Sequence, residues 1–156
     1  MKLILMRHAL ADWSLGQDDH ARNLSTEGQD QARRLGSWLK TSGHMPDHAL
    51  VSDARRTYQS FAALELTCAV DLMAQLYLAE PESLRAAINA QCHHGCLLLL
   101  AHNPGIAELA STLIQTPPAH AAFYTYPPGA TLVLNCDPQG GAARLMDFTT
   151  PSDLAP

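Results

Sequence analysis

Three short apolar runs in this chain end in side chains suited to holding an anion. KLILM, residues 2–6, runs into Arg7-His8; ALVS, residues 49–52, is followed by Arg55-Arg56; CLLLLA, residues 96–101, runs into His102. A guanidinium presents a planar fork that matches phosphate oxygens. A neutral imidazole is a competent nucleophile and can carry a covalent intermediate. Two imidazoles among arginines suit phosphoryl transfer, where positioning and charge neutralisation dominate. The arginines also favour a neutral His8, because a nearby like charge disfavours protonation. Taken singly, a histidine at a strand end is usually a structural hydrogen-bonder, and an arginine a solvated helix charge. The convergence of Arg7, His8, Arg56 and His102 is what argues for a site. His20, His44, His48, His93, His94 and His120 fall in expected loops or at helix edges and share no such convergence. No carboxylate cluster suggests a magnesium site.

That convergence needs parallel strands, because ligands of open α/β sheets bind at the carboxyl ends of the strands. KLILM and CLLLLA are continuous enough for strands buried on both faces. A polar stretch from Ala11 to Ser25 reads as a loop. A helix follows from Thr26 to Lys40, capped by Ser25 or Thr26, with Ala32, Leu35, Trp38 and Leu39 at helical spacing. ALVS reads as a second strand, and Ala54 to Leu66 as a helix burying Tyr58, Phe61 and Ala62, with Leu66 at its end. The stretch from Val70 to Leu78 reads as a short extended piece. Pro81 opens a third helix, with Leu84, Ala87 and Ile88 on one face. Asn103-Pro104 reads as the cap and first turn of a fourth helix carrying Ile106, Leu109, Ala110, Leu113 and Ile114. Thr131–Asn135 and Arg144–Phe148 read as two further strands joined by a turn over 137–141. The fold class expected is α/β: a three-layer αβα sandwich with a mostly parallel central sheet, in a single domain over residues 1–156.

Composition narrows the classes. A 47% hydrophobic, 16% charged chain of 156 residues can build a core. Its net charge of −5 argues against nucleic-acid binding, so phosphate recognition must come from a local arginine cluster. No run approaches the ~18 apolar residues of a membrane span, and MKLILM is too short for a secretion signal. A cytoplasmic location is therefore expected, with the four cysteines reduced. The CHHGC run, Cys92 to Cys96, has no second ligand pair at zinc spacing and reads as a loop leading into a strand.

The same residues carry a family resemblance. LILMRHALADWS is similar to the strand followed by Arg-His-Gly of the histidine phosphatase superfamily, with Ala9 in place of glycine. RNLSTEG, Arg22 to Gly28, resembles its R-x-L-[ST]-x-x-G element. SDARRTYQS, Ser52 to Ser60, resembles S-P-x-x-R-A-x-Q-T, with Asp53 for proline and Thr57 for alanine; AHNPGI, Ala101 to Ile106, resembles G-H-N-P-G. The four elements stand in family order and point to the SixA-like phosphohistidine phosphatase branch, with a phosphoglycerate mutase-like fold.

The resemblance implies transfer of a phosphoryl group to His8 and hydrolysis of the phosphohistidine, with no metal or organic cofactor. Arg7, Arg56 and His102 would surround the phosphoryl oxygens, with Arg22 as a further phosphate contact. Many relatives also carry an acid that protonates the leaving oxygen; the candidates are Glu80 and Asp12, while Leu78 stands where some relatives have the acid. A missing acid suits a phosphoramidate, because imidazole leaves far more readily than an alkoxide. The expected partner is a phosphorylated protein, such as a histidine phosphotransfer domain. A small phosphoester remains the alternative substrate, and a noncatalytic phosphate-binding module the alternative class. No nucleic acid and no membrane is expected as a partner.

Overall fold

The computed structural model describes residues 1–13, 15–137 and 140–156. One six-stranded sheet organises the molecule: β1 (Lys2–Arg7), β2 (His48–Ser52), β3 (Ala69–Met73), β4 (Cys96–Ala101), β5 (Thr131–Asn135) and β6 (Arg144–Thr149). Their order across the sheet is β3-β2-β4-β1-β5-β6. The β1–β4, β2–β4 and β2–β3 pairs are parallel; β5 is antiparallel to both β1 and β6. Four helices cover the faces: α1 (Thr26–Thr41), α2 (Arg55–Leu64), α3 (Pro81–Asn89) and α4 (Gly105–Leu113).

Strand alternation sorts the core into two layers. Leu3, Leu5, Leu97 and Leu99 pack with Leu84 and Ile88 of α3 and with Ile106 and Leu109 of α4. Ile4, Met6, Leu98 and Leu100 pack on the other side with Leu35 and Leu39 of α1 and Leu64 of α2. The expected three-layer sandwich is thus present. The turn expected over 137–141 includes positions 138 and 139, which lie outside the described residues, as does position 14 of the loop after β1.

Three local expectations change. The stretch expected as one extended piece from Val70 divides into edge strand β3 and a single 3-10 turn over Ala74–Leu76. Helix α2 starts at Arg55, ends at Leu64 and turns a different face inward: Arg56, Thr57, Ser60 and Leu64 are buried, while Tyr58 and Ala62 are exposed and Phe61 and Leu66 are half-buried. Apolar spacing misled because this helix gives its inner face to polar work beside the strand ends. Helix α4 begins after Pro104, without an Asn103 cap, because the Asn103 amide donates to the Thr125 and Tyr126 carbonyls instead.

The cap of α1 is Ser25, whose Oγ accepts from the Gly28 N–H at 2.9 Å and donates to the Leu10 carbonyl at 2.9 Å. Gly28 then lies so close to the chain after β1 that a Cβ there would meet the Leu10 oxygen at 2.0 Å. The CHHGC run leads into β4 as expected, with Asp47 accepting from the Gly95 and Cys96 N–H groups.

Gly36 sets the approach of α1 to α2, since its Cβ would meet the Leu64 carbonyl oxygen at 2.0 Å. Gly36→Ala gains about 1 kcal/mol of helix propensity, but backbone blocks the methyl, and overpacking of this kind costs about 1–3 kcal/mol. Urea unfolding should show a net loss of stability as a lower midpoint at unchanged slope.

Candidate active site

The carboxyl ends of β1, β2 and β4 deliver the predicted groups to one edge. Arg7 ends β1 and His8 follows; Ser52 ends β2; His102 follows β4; Arg56 is the second residue of α2. Together with Arg22, Asp19, Trp13, Leu78, Asn103 and Pro128, the residues Arg7, His8, Arg56 and His102 line an open pocket of about 260 Å³.

His8 is buried and doubly held. Its Nδ1 lies 2.7 Å from the Ala9 carbonyl, which can only accept, so Nδ1 carries the hydrogen. Nε2 then keeps its lone pair and accepts from Arg56 Nε at 3.3 Å. Burial pushes the His8 pKa down to about 3; the Ala9 bond opposes this, and the charges of Arg56, Arg7 and Arg22 reinforce it. At neutral pH the site thus holds an uncharged imidazole whose Nε2 keeps an unprotonated electron pair among guanidiniums, the form a nucleophile needs.

His102 has the opposite tautomer. Its Nδ1 accepts from Arg56 Nη2 at 3.3 Å, so Nε2 carries the hydrogen and donates to Ser52 Oγ at 2.8 Å. Burial lowers its pKa to about 3, helped by His8 and Arg56 and opposed by Asp19. The two rings stand 5.3 Å apart, tilted by 56°.

Each arginine is tied down by an acceptor. Arg7 Nη1 donates to the Tyr126 carbonyl at 3.0 Å. Arg22 Nε donates to the Asp12 carbonyl at 3.0 Å and Nη1 to Asp19 Oδ1 at 3.1 Å. Arg56 Nη1 donates to the Asp19 carbonyl at 2.7 Å and Nη2 to Asp19 Oδ2 at 3.1 Å. The indole of Trp13 covers the Arg22 guanidinium, whose carbon sits 3.6 Å from the ring centroid.

Asp19, which sequence reasoning passed over, is the hub of this arrangement. It bridges Arg22 and Arg56 and also accepts from the Tyr77 hydroxyl. The Tyr77 hydrogen bond, followed by those from Arg22 and Arg56, holds its carboxyl well below the usual carboxylate range, against the opposing effect of burial. Three guanidiniums against one carboxylate leave a surplus of two positive charges, which matches a phosphoryl dianion. Asp19 sits in a one-turn helix, Asp19–Ala21, inside a loop with no apolar period, so the sequence offered no signal for it.

The remaining candidates lie apart. Glu80 is exposed at the head of α3, and Asp12 is exposed and reaches the site through its carbonyl; among the described residues, neither lines the pocket. Arg55 is exposed and, among the described residues, does not line the pocket. His20 pairs with Asp53 at 2.8 Å and packs edge-on to Tyr77, so it supports the site from behind. The substitutions Ala9 and Thr57 are both absorbed: Ala9 N–H donates to Ser60 Oγ at 3.0 Å, and Thr57 Oγ1 donates to the Ala54 carbonyl at 2.6 Å.

The sequence profile of the histidine phosphatase superfamily (branch 1) matches residues 3–82, just over half of the chain. The chain belongs to that superfamily. Its structure is similar to that of a candidate phosphohistidine phosphatase SixA from Agrobacterium tumefaciens, with TM-score 0.86, 27% identity and coverage of 96% of this chain and 98% of that one. It is also similar to a candidate SixA from Nakamurella multipartitia, with TM-score 0.82, 26% identity and coverage of 96% and 95%. An uncharacterized chloroplastic protein of Arabidopsis thaliana is 28% identical over 127 residues, which span 72% of this chain and 58% of that relative's length. Arg7, His8, Arg22 and Arg56 fall inside the matched profile; His102, which follows β4, lies beyond it.

Two outcomes follow from the geometry. Between pH 6.5 and about 3 the unfolded chain binds protons at His8 and His102 that the folded chain excludes. Stability should therefore fall as pH drops through that window, by up to about 1.4 kcal/mol per pH unit per histidine. Urea midpoints from pH 7 to 5 should decline less steeply in a His8→Asn, His102→Asn double variant. Second, Asp19→Asn removes the charge that holds two arginines in place. Arg22 and Arg56 then lack the carboxylate that offsets their burial, and a hydrogen bond to a charged group contributes about 1.5–3 kcal/mol, so the variant should unfold at a lower urea midpoint than wild type, with inorganic phosphate recovering part of the loss.

Proposed function

We propose that this chain is a phosphatase that takes the phosphoryl group onto His8 Nε2 and returns it to water, and that its substrate is a phosphohistidine on a protein. The observation that carries the reading is the state of His8: neutral, with Nδ1 tied to the Ala9 carbonyl and the Nε2 lone pair held among arginines. The Nε2 pair attacks phosphorus while the bond from phosphorus to the leaving nitrogen breaks. That nitrogen keeps the electron pair, and because the substrate ring already carries a proton on its second nitrogen it departs as neutral imidazole. Water then attacks the phosphorus of phospho-His8, losing a proton, and Nε2 recovers its pair. Arg7, Arg22 and Arg56 neutralise the equatorial oxygens throughout, and His102 Nδ1, turned toward Arg56, keeps that guanidinium aligned.

A phosphohistidine substrate is supported by the lining of the pocket: among the described residues its one carboxylic acid is Asp19, whose low pKa makes it a poor donor. Imidazole, with a pKa of about 6.5, leaves with little help from an acid. The names carried by the similar Agrobacterium and Nakamurella structures point the same way. Four free cysteines suit a reducing compartment such as the cytoplasm. No helix among the described residues is long and apolar enough to cross a membrane.

The test is phosphate release from a phosphorylated histidine phosphotransfer domain and from an aryl phosphate, with wild type and His8→Ala. We expect preference for the phosphohistidine protein, a loss of at least about a thousandfold in His8→Ala, and an acid-labile phosphoenzyme trapped only in the wild type. Turnover of the aryl phosphate alone would move the substrate to small phosphoesters. Undiminished turnover by His8→Ala would overturn the covalent route.

A further inference from the structure

The arginines and His8 recognise any phosphoryl group, so the choice of carrier must be made at the mouth of the pocket. Two large apolar side chains stand there against the usual economy of a surface. Trp13 is 83% exposed and Leu78 is 50% exposed, and both line the same pocket as the arginines. They come from separate segments, the loop after β1 and the stretch between β3 and α3.

Neither side chain is placed casually. Trp13 lies over Arg22, so its position is coupled to an arginine of the anion site. Leu78 holds a left-handed backbone, φ +48, a conformation that favours glycine and that is uncommon for a leucine. The next residue fixes that presentation. The Ala79 carbonyl oxygen packs so closely on Gly105, the first residue of α4, that a Cβ there would meet it at 2.0 Å. The segment is thereby clamped to the helix that follows His102, and Leu78 is held out toward solvent.

We infer that Trp13 and Leu78 form an apolar rim that seats the protein surface around a phosphohistidine, and that this rim, rather than the anion site, selects the carrier. The inference rests on the phosphohistidine reading above. The pocket fixes the first feature of the occupant, a phosphoryl dianion, and the rim fixes the second, apolar side chains flanking it. A small phosphoester would fill the pocket of about 260 Å³ and leave the outer part of Trp13 bare. A protein that carries its phosphohistidine among apolar residues covers both, and exposed aromatic surface beside a polar pocket is the usual anchor of such contacts.

The experiment compares kcat/KM on a phosphorylated histidine phosphotransfer domain with kcat/KM on phosphoimidazole, for wild type, Leu78→Gly and Trp13→Ala. Glycine suits the backbone at position 78, so that variant removes the side chain without straining the fold. Loss of the rim should lower the ratio of the two constants, protein over phosphoimidazole, by about tenfold or more in each variant. Taking the ratio removes any effect of Trp13→Ala that reaches both substrates through Arg22. A ratio unchanged in both variants, with the wild type active on the protein, would overturn the rim and leave the phosphohistidine reading standing. A wild type that turns over phosphoimidazole but not the protein would overturn both.

Discussion

The structure depends on keeping three guanidiniums together in a partly enclosed pocket without protonating the imidazoles between them. Gathering like charges away from water is costly. Here the cost is offset by the Asp19 carboxylate and by three backbone carbonyls, those of Asp12, Asp19 and Tyr126. The same surplus of positive charge helps hold His8 and His102 neutral, after burial has done most of it. Arg56 shows the tension most clearly. It sits in the first turn of α2, where the helix dipole disfavours a cation, and the N-terminus has no side-chain cap. A buried cation tolerated at a helix N-terminus is explained by its partners: Asp19 on one side, and on the other the pocket proposed to take a phosphoryl anion.

Positioning His8 requires more than a strand end, because the residues after it leave the sheet. Ala9 and Leu10 are pinned from two helices at once. Ser60 of α2 accepts from the Ala9 N–H, and Ser25 at the head of α1 donates to the Leu10 carbonyl. Gly28 lets α1 come this near. On the other side, Gly129 N–H reaches the carbonyls of Arg7 and His8, while the Tyr126 hydroxyl donates to the Leu5 carbonyl at 2.8 Å. The serine and glycine of the RNLSTEG element thus position His8 through one short peptide segment, without lining the pocket.

Strands and the groups at their ends were legible because burial on both faces leaves uninterrupted apolar runs, and a parallel sheet sends their carboxyl ends to one edge. That is why Arg7, His8, Arg56 and His102 could be gathered from the chain alone. The inner face of α2 was not legible, because a helix that buries Arg56, Thr57 and Ser60 has no apolar stripe on that side. Asp19 and Tyr77 were missed for a related reason. Both lie in connecting segments without period, and they meet only because the loop after β1 and the segment after β3 close over the same strand ends. Hydrophobic pattern reports what is buried in oil-like surroundings; a polar hub built from loops leaves no such trace.

The electrostatics also divide the labour of recognition. With a net charge of −5, the protein as a whole does not draw anions toward it. Attraction is confined to the range of the arginine cluster, and that cluster responds to the phosphoryl group alone. A surplus of two charges fits every phosphoryl dianion equally, whether it is borne by nitrogen or oxygen. On the proposed route, attack by a neutral His8 with no strong acid nearby favours a leaving atom that departs readily. Selectivity for the rest of the carrier then has only the mouth of the pocket in which to reside. An exposed indole on Arg22 and a leucine held in a left-handed backbone are the side chains placed there to exert it.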